Sequence, residues 1–506
     1  MKKNIKLIAL GMAIVFSLCG CGITAETIGE TSATKVTQAI EEPTTAVKEE
    51  KYEFTPTAEE IEIYNSFFST DSNISIKIDI CDEELARIQN DYEFYDSMGS
   101  KSPIYRRADK VTITINDKSY EYEDVGIRMK GNLSRTDFYD IQNNEITDFI
   151  HYRLSFNQTF DDPKYYGDEA IEWEKSERKA RKNRTFASLE DLEIKWNRNY
   201  DNTYVRELYA HELYQAFGIL SANMNLSTYD MNGINMGVWH VFEPIDDIFI
   251  MRNLPEEDWG GDLYKAGWTH EPANYTSQVT YGVTDKDAGD MYNYSLKTNK
   301  KTSDFSSIKK LISVLARGTD EELAQAVDLD YFAMYSATCY FVGNPDDMRN
   351  NYNNHYVYFL KSSEKAIFIP YDVDRCLGLS CGYNPSGKAM TNVSPYSEMA
   401  VGNQSDQSNP LIRRLIFKSG LAFDKYDEYL SDIVQSEWVS YDKFITYYNN
   451  YLEKYEDKVK PSAEFNNVDS SRLDFNLNGV IISDGDKNMS MEDYLRLIVK
   501  TYKECQ

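Results

Sequence analysis

Paired metal ligands are missing from this 506-residue chain. Its 7 cysteines form no Cys-x-x-Cys pair and its 5 histidines no paired spacing, which excludes a zinc site of the usual kind. Basic charge is scarce as well. Lys and Arg number 54 against 82 Asp and Glu, a formal net charge of −28, and because neutralising phosphates needs clustered cations, nucleic acid is excluded as a partner. After Leu18 no apolar run is long enough to span a bilayer. Cys376 and Cys381 are close enough in sequence for a local disulfide, although spacing alone does not set the Cα separation that a bridge requires.

What is present begins with MKKNIKLIALGMAIVFSLCGCG, in which lysines precede an apolar run from Leu7 to Leu18. A charged start and a short apolar core read as a secretory signal, too short and wrongly flanked for a spanning helix. The small residue before Cys21 resembles a bacterial lipobox. Residues 1–21 are then a lipoprotein signal peptide and Cys21 the lipidated residue, anchoring an extracytoplasmic protein to the cell membrane; an ordinary secreted protein cleaved nearby is the alternative. Residues 22–56 are rich in Thr and Glu with almost no aromatics, so they cannot bury enough surface to order themselves and form a tether. The roughly 450 residues that follow exceed what one core usually holds, so two lobes are expected, 57–243 and 244–506. The 39 tyrosines suit a polysaccharide binder as well as they suit compositional drift.

The first lobe alternates. NISIKIDI (Asn73 to Ile80) reads as a half-buried strand and Asp82 to Asp91 as a short helix. Val111 to Ile115, Tyr120 to Tyr122 and Val125 to Lys130 make a hairpin with its continuation, and Tyr152 to Phe156 a further strand. The basic run Lys175 to Arg184 is a helix or a mobile loop. Asn202 to Phe217 has the spacing of an amphipathic helix capped by Asn202 or Thr203 and stopped by Gly218. Met224 to Asp230 and Met236 to Phe242 form a hairpin around Asn232-Gly233. After Glu243 the pattern turns helical, at Phe305–Leu315, Glu321–Ala326, Leu329–Phe341, Leu411–Lys418, Phe444–Lys458 and Met491–Lys503. Asp474, Asn476, Asn478 and Gly479 imitate the start of a calcium loop, but Gly485 stands where a bidentate Glu is needed, so a turn is the reading.

One hairpin interrupts the helical half. FVGNPDDMRNNYNNHYVYFLKSSEKAIFIPYDVDRCLG sets Asp346, Asp347 and four asparagines before an alternating strand, and Asp372 and Asp374 at the end of its return. Residues at i and i+2 point the same way while a strand persists, so both carboxylates can converge with an asparagine amide on one hard cation, Mg²⁺ or Mn²⁺. Phosphoryl transfer asks for these parts: an Asp for the acceptor hydroxyl, an Asn and a second Asp for the metal, and a Lys on the phosphates held by an acid. Lys195, with Glu207 or Glu212 on the amphipathic helix, is placed suitably for the last pair. A glycosyltransferase, whose Asp-x-Asp holds the metal of a nucleotide sugar, a glycosidase with paired carboxylates, and a non-catalytic surface binder are the competing classes.

VGIRMKGNLSR, NTYVRELYAHELYQAFGI, MNGINMGVWHVFEPID, LYKA, GNPDD with NNHYVYF, and IPYDVDRCLG occur in an order that resembles the spore-coat CotH kinase-like family, over about Asn73 to Lys418. The resemblance implies an α+β, atypical protein-kinase-like fold with a β-rich N-lobe followed by a mainly helical C-lobe. It implies transfer of the ATP γ-phosphoryl group to Ser or Thr of a surface or secreted protein by a monomer. By the same match Asp346 is the catalytic-loop Asp, with Asp347 a second candidate base. Asn354, Asp372 and Asp374 hold the metal, and Lys195, Glu207 and Arg128 contact the nucleotide. Pro345 and Tyr371 depart from the family pattern, where an aromatic and a Trp are usual.

Overall fold

The computed structural model describes residues 52–269, 272–284, 292–380, 390–397, 409–417, 419–477 and 489–506. Residues 49–506 belong to one compact unit. It is a mixed α+β structure built on two main sheets.

The first sheet is a closed barrel of Ile74–Asp79 (β1), Arg106–Ile115 (β2), Lys118–Lys130 (β3), His151–Ser155 (β4), Asp191–Lys195 (β5), Met224–Met231 (β6) and Ile234–Phe242 (β7), in the order β1-β2-β3-β4-β5-β7-β6. Period-two patterning drives it: Ile74, Ile76 and Ile78 turn inward, Ile76 pairing with Ile113 on one side and, in parallel, with Tyr229 on the other. Val111, Val125, Ile127, Leu154, Ile194 and Val241 fill the interior, all fully buried. The β6–β7 turn is Asn232-Gly233, both at positive φ (52° and 80°), as a two-residue hairpin of the primed type requires. Closure places the parallel seam between β1 and β6. There the Tyr455 hydroxyl accepts from the Ile74 amide and donates to the Leu226 carbonyl, both at 2.9 Å.

The second sheet runs Tyr281–Gly282 (β9), Tyr294–Leu296 (β10), Leu263–Ala266 (β8), His355–Phe359 (β11) and Ala366–Pro370 (β12) in spatial order. The expected hairpin is β11–β12, paired from His355↔Pro370 to Phe359↔Ala366. It is not alone in the helical half, however. Three short strands join it, too brief to show a period. Every residue of β11 and β12 is buried, because the sheet is covered on both faces. Tyr356, Tyr358, Ile367 and Ile369 pack with Phe249 and Ile250, while Val357 and Phe368 belong to the main core.

The helices that matter for the site are Asp82–Ser97 (α1), Lys175–Lys182 (α2), Arg206–Ala216 (α3), Leu329–Val342 (α4), Met348–Asn351 (α5), Tyr441–Tyr455 (α6) and Met491–Cys505 (α7). The first is a turn and a half longer than its sequence pattern, and the basic run is helical. Helix α3 starts at Arg206 rather than at Asn202. The Asp201 carboxylate takes the amides of Thr203 (3.0 Å) and Arg206 (3.1 Å), so Asp201 caps the turn that Asn202 and Thr203 were expected to cap. The stretch expected as a helix at 411–418 is a π-turn over Ile412–Ile416, and Lys418 lies outside the described residues. Asn478, Gly479, Gly485, Cys21 and Cys381 also lie outside them, the last with the disulfide expected there; Cys376 is buried, its thiol facing the Arg206 carbonyl at 3.4 Å. Among the described residues no helix is long and apolar enough to cross a membrane.

Candidate phosphate and metal site

Lys195 ends β5, and the chain returns through Asp201 into the first turn of α3, which brings Glu207 back under the strand. Both side chains are buried, and Lys195 Nζ lies 3.3 Å from Glu207 Oε1. From the other sheet, the same ammonium also contacts Asp372 Oδ1. Burial works against charge on Lys195, but Asp372, Glu207 and Asp374 together raise its amine well above the ordinary range. Asp372 is likewise pushed up by its surroundings, yet Lys195 prevails and holds it below the usual carboxylate range.

The strand stops at Pro370, so the i, i+2 argument for Asp372 and Asp374 does not apply. Asp372 sits instead at φ 52°, a left-handed conformation that carries its carboxylate toward Lys195. Asp374 follows in the turn, its carbonyl accepting from Asn199 Nδ2 at 3.1 Å. Burial, then repulsion from Asp372, lifts the Asp374 carboxyl to about 7. Lys195, Glu207, Asp374, Arg198, His151 and His240 line one cavity.

Asp346 follows the left-handed Gly343 that ends α4. Three amides hold its carboxylate: Asn351 Nδ2 at 2.6 Å and Asn353 Nδ2 at 3.4 Å on Oδ1, and Asn354 Nδ2 at 3.0 Å on Oδ2. Burial still raises its carboxyl. Asn344 joins the two segments, accepting from the Asp346 amide at 3.1 Å and reaching the Asp372 carbonyl at 3.5 Å. Asp347 does something different. It is 2% exposed and caps α5, Oδ1 accepting from the Asn350 amide at 2.8 Å, while Oδ2 is buried with no partner. Burial pushes its carboxyl up to about 7.

Lys195, Glu207, Asp372 and Asp374 are therefore gathered at one place, with Asp346 and Asn354 joined to them through Asn344. Arg128 is not brought to Lys195. Its guanidinium donates to the Ser102 carbonyl at 3.3 Å and lies 4.9 Å from the Tyr105 ring centre. Glu212, the alternative to Glu207, accepts from the Tyr447 hydroxyl at 2.8 Å.

A second charged group was not anticipated. Lys130 contacts Glu193, and Arg153 reaches Glu193 at 3.3 Å and Asp191 at 2.7 Å, all on the outer face of the barrel. Arg153 and Glu193 are direct cross-strand partners. Burial is the main force lowering the Lys130 amine, to about 8. Lys130 and Lys265 lie 5.6 and 4.1 Å from the ring centre of Tyr371, the residue before Asp372. The signal in the sequence was charge at alternate positions of DLEIK and HYRLS.

The donor set suits a hard divalent ion. Asp372 and Asp374 offer carboxylate oxygens, the strain of two like charges on Asp374 is what a cation relieves, and Asn354 keeps an amide oxygen after its Nδ2 is given to Asp346. Among the described residues no three His, Cys, Asp or Glu side chains are grouped so as to hold a metal alone.

Comparison with known proteins gives the class. The CotH kinase protein family matches residues 127–469. Inner spore coat protein H of Bacillus subtilis (strain 168) is 25% identical over 192 residues, 37% of this chain and 50% of that protein, so the chain spans about half the length of this curated relative. A chain of the Shewanella oneidensis MR-1 toxin–antitoxin complex of HipA, HipB and operator DNA is matched over 53% of this chain and 57% of that one, at 13% identity and a TM-score of 0.24, too low to carry an argument. The chain belongs to the CotH kinase family and is a kinase-like protein.

Proposed function

We propose that this protein is an atypical protein kinase, with the barrel as N-lobe and the helical half as C-lobe, that transfers the γ-phosphoryl group of ATP to Ser or Thr of a surface or secreted protein. The observation that carries the reading is the buried Lys195 held between Glu207 and Asp372. In phosphoryl transfer a lysine steadied by a helix carboxylate sits on the nucleotide phosphates beside a metal-holding aspartate. Asn354, Asp372 and Asp374 would hold Mg²⁺ or Mn²⁺, which when bound neutralises charge on the phosphate oxygens. Asp346, its carboxyl raised by burial and aimed by three amides, accepts the proton of the acceptor hydroxyl as that oxygen forms its bond to the γ-phosphorus and the bond to the bridging oxygen breaks, releasing ADP.

On this reading residues 1–21 are a lipoprotein signal, Cys21 carries the lipid, residues 22–56 are a tether, and the enzyme works as a monomer at the extracytoplasmic face. The spore-coat relative supports a location outside the cytoplasm. The test is incorporation of γ-labelled phosphate by the full chain, into itself or a Ser-rich acceptor, with Mg²⁺ or Mn²⁺. Asp372→Ala is expected to abolish it. Absence of both labelling and metal-dependent nucleotide binding in the unsubstituted protein would overturn the proposal.

A further inference from the structure

Helix α7, Met491–Cys505, lies beyond residue 469, where the family match ends. Its apolar face, with Met491, Tyr494, Leu495, Ile498 and Tyr502, is buried against the rest of the unit. A helix that merely covered the core would need no more than that. Its start, from Met489 to Tyr494, instead makes directed bonds to three stretches of chain, each within five residues in sequence of a residue of the proposed site.

The first stretch is the start of α3. Arg206, beside Glu207 in sequence and 3% exposed, donates from Nη1 to the Leu377 carbonyl at 2.9 Å and to the Met489 carbonyl at 3.1 Å, with Nη2 on the latter at 3.2 Å. The second is the chain leaving Asp374. The Met489 amide donates to the Gly378 carbonyl at 2.9 Å, and a Cβ on Gly378 would come 2.9 Å from Tyr494 Cβ. The third is the chain approaching Asp346. The fully buried Tyr494 hydroxyl donates to the Phe341 carbonyl at 3.0 Å, and a Cβ on Gly343 would stand 1.8 Å from the Tyr494 hydroxyl oxygen. The second and third stretches are also tied to each other, Leu377 N donating to Val342 O at 2.8 Å.

These bonds meet at one place. Only a residue lacking Cβ, at φ 58° and 83°, lets the backbones at Gly343 and Gly378 approach the Tyr494 side chain this closely. The arginine fork is a two-pronged donor that needs both carbonyls, Leu377 and Met489, in place. Undocking Met489–Tyr494 would remove one partner from each of the three stretches together, leaving the start of α3 held to the chain after Asp374 by the Arg206–Leu377 and Cys376–Arg206 contacts without the clasp at Met489.

We infer that Met489 to Tyr494 and α7 act as a C-terminal staple: Tyr494 and Arg206 are positioning residues that hold Glu207, the Asp346 segment and the Asp372–Asp374 segment in one arrangement. The role of the staple in catalysis rests on the kinase reading, whereas its role in holding the three segments together does not.

Two substitutions in the full chain separate these claims. Tyr494→Phe keeps the ring and removes one hydrogen bond; Ile498→Ala loosens α7 through its apolar face and touches none of the directed bonds. Native-state hydrogen exchange is expected to show about tenfold faster exchange of the Gly343 and Leu377 amides in both variants, with the β1 and β2 amides unchanged. Phosphoryl transfer is expected to slow about tenfold in kcat with KM for ATP within twofold. Arg496→Ala, on the exposed face of the same helix, leaves both readings as they are. Unchanged exchange at Gly343 and Leu377 in both variants overturns the staple, as does acceleration spread evenly through barrel and helices, which marks α7 as packing alone. If the unsubstituted protein transfers no phosphate, the kinase reading fails and the exchange experiment still decides the staple.

Discussion

Replacing Asp347 by Asn should stabilise this protein above neutral pH and leave phosphoryl transfer intact. The Asp347 carboxyl, 2% exposed, titrates near 7 in the folded protein against an ordinary value of 3.8, mainly because burial penalises its charged form. Between those two values the folded state holds a proton that the unfolded chain has lost. Stability therefore falls as pH rises through that window and levels off above it. At 1.36 kcal/mol per unit, the ionised group costs about 4 kcal/mol at pH 8. An asparagine keeps the oxygen that accepts the Asn350 amide, but sets an N–H where Oδ2 has no partner, an offset of about 2 kcal/mol. The net is a gain of about 2 kcal/mol at pH 8 and a loss of about 2 kcal/mol near pH 4, where the protonated carboxyl carries no charge cost and only the asparagine offset remains. With an unfolding entropy of about 2 cal/mol/K per residue, the gain at pH 8 is a rise in Tm of about 2 °C. Calorimetric melts at the two pH values measure it, and labelling assays run alongside compare Asp347→Asn with Asp346→Asn, which should be inactive. A variant that melts lower at pH 8, or that keeps its Tm and loses transfer, would refute the reasoning, because Asp347 would then be a charged working group.

Two further outcomes concern the barrel and the end of α4. Glu193→Gln leaves Lys130 and Arg153 buried without their shared carboxylate, and breaking such a group costs roughly 3–5 kcal/mol. Because the lowered Lys130 amine can shed its proton at high pH, the loss should be larger at pH 6 than at pH 9, as melts at both values will show. Gly343→Ala forces a side chain onto a residue at φ 58° and into the Tyr494 hydroxyl 1.8 Å away, so a loss of at least about 2 kcal/mol is expected in thermal melts.

Alternation made β1 legible in the sequence, since one of its faces lies in a core; β11 showed itself as a short aromatic and β-branched run, buried on both faces, and the Asn232-Gly233 hairpin by a turn that only certain residues make. The short strands β8 to β10 were not legible, because two to four residues carry no period. The start of α3 was misplaced because Asp201 reaches forward across four residues to the Arg206 amide, a competition among Asn202, Thr203 and Asp201 that local pattern does not decide. At the site, residue types and their order suggested which groups belong together. What they could not show is tertiary: the left-handed turn at Asp372, the amides gathered on Asp346, and Asp347 turned inward as a cap. Lys130, Glu193 and Arg153 escaped notice because the register of β3, β4 and β5 exists only after the barrel forms.

That barrel also orders events in time. Its seam joins Ser75–Ile78 to Thr228–Met231, so the first strand to leave the translocation or synthesis machinery must wait for the sixth before the cylinder can close. The hydroxyl that bridges the seam belongs to Tyr455, which arrives later still. Contacts so distant along the chain close slowly, because loop entropy is lost before they form. Until then β1 and β6 present open edges to any other strand nearby. A protein built in this way has a vulnerable interval during biogenesis, and a chaperone that shields β1 until the C-terminal half is delivered would shorten it.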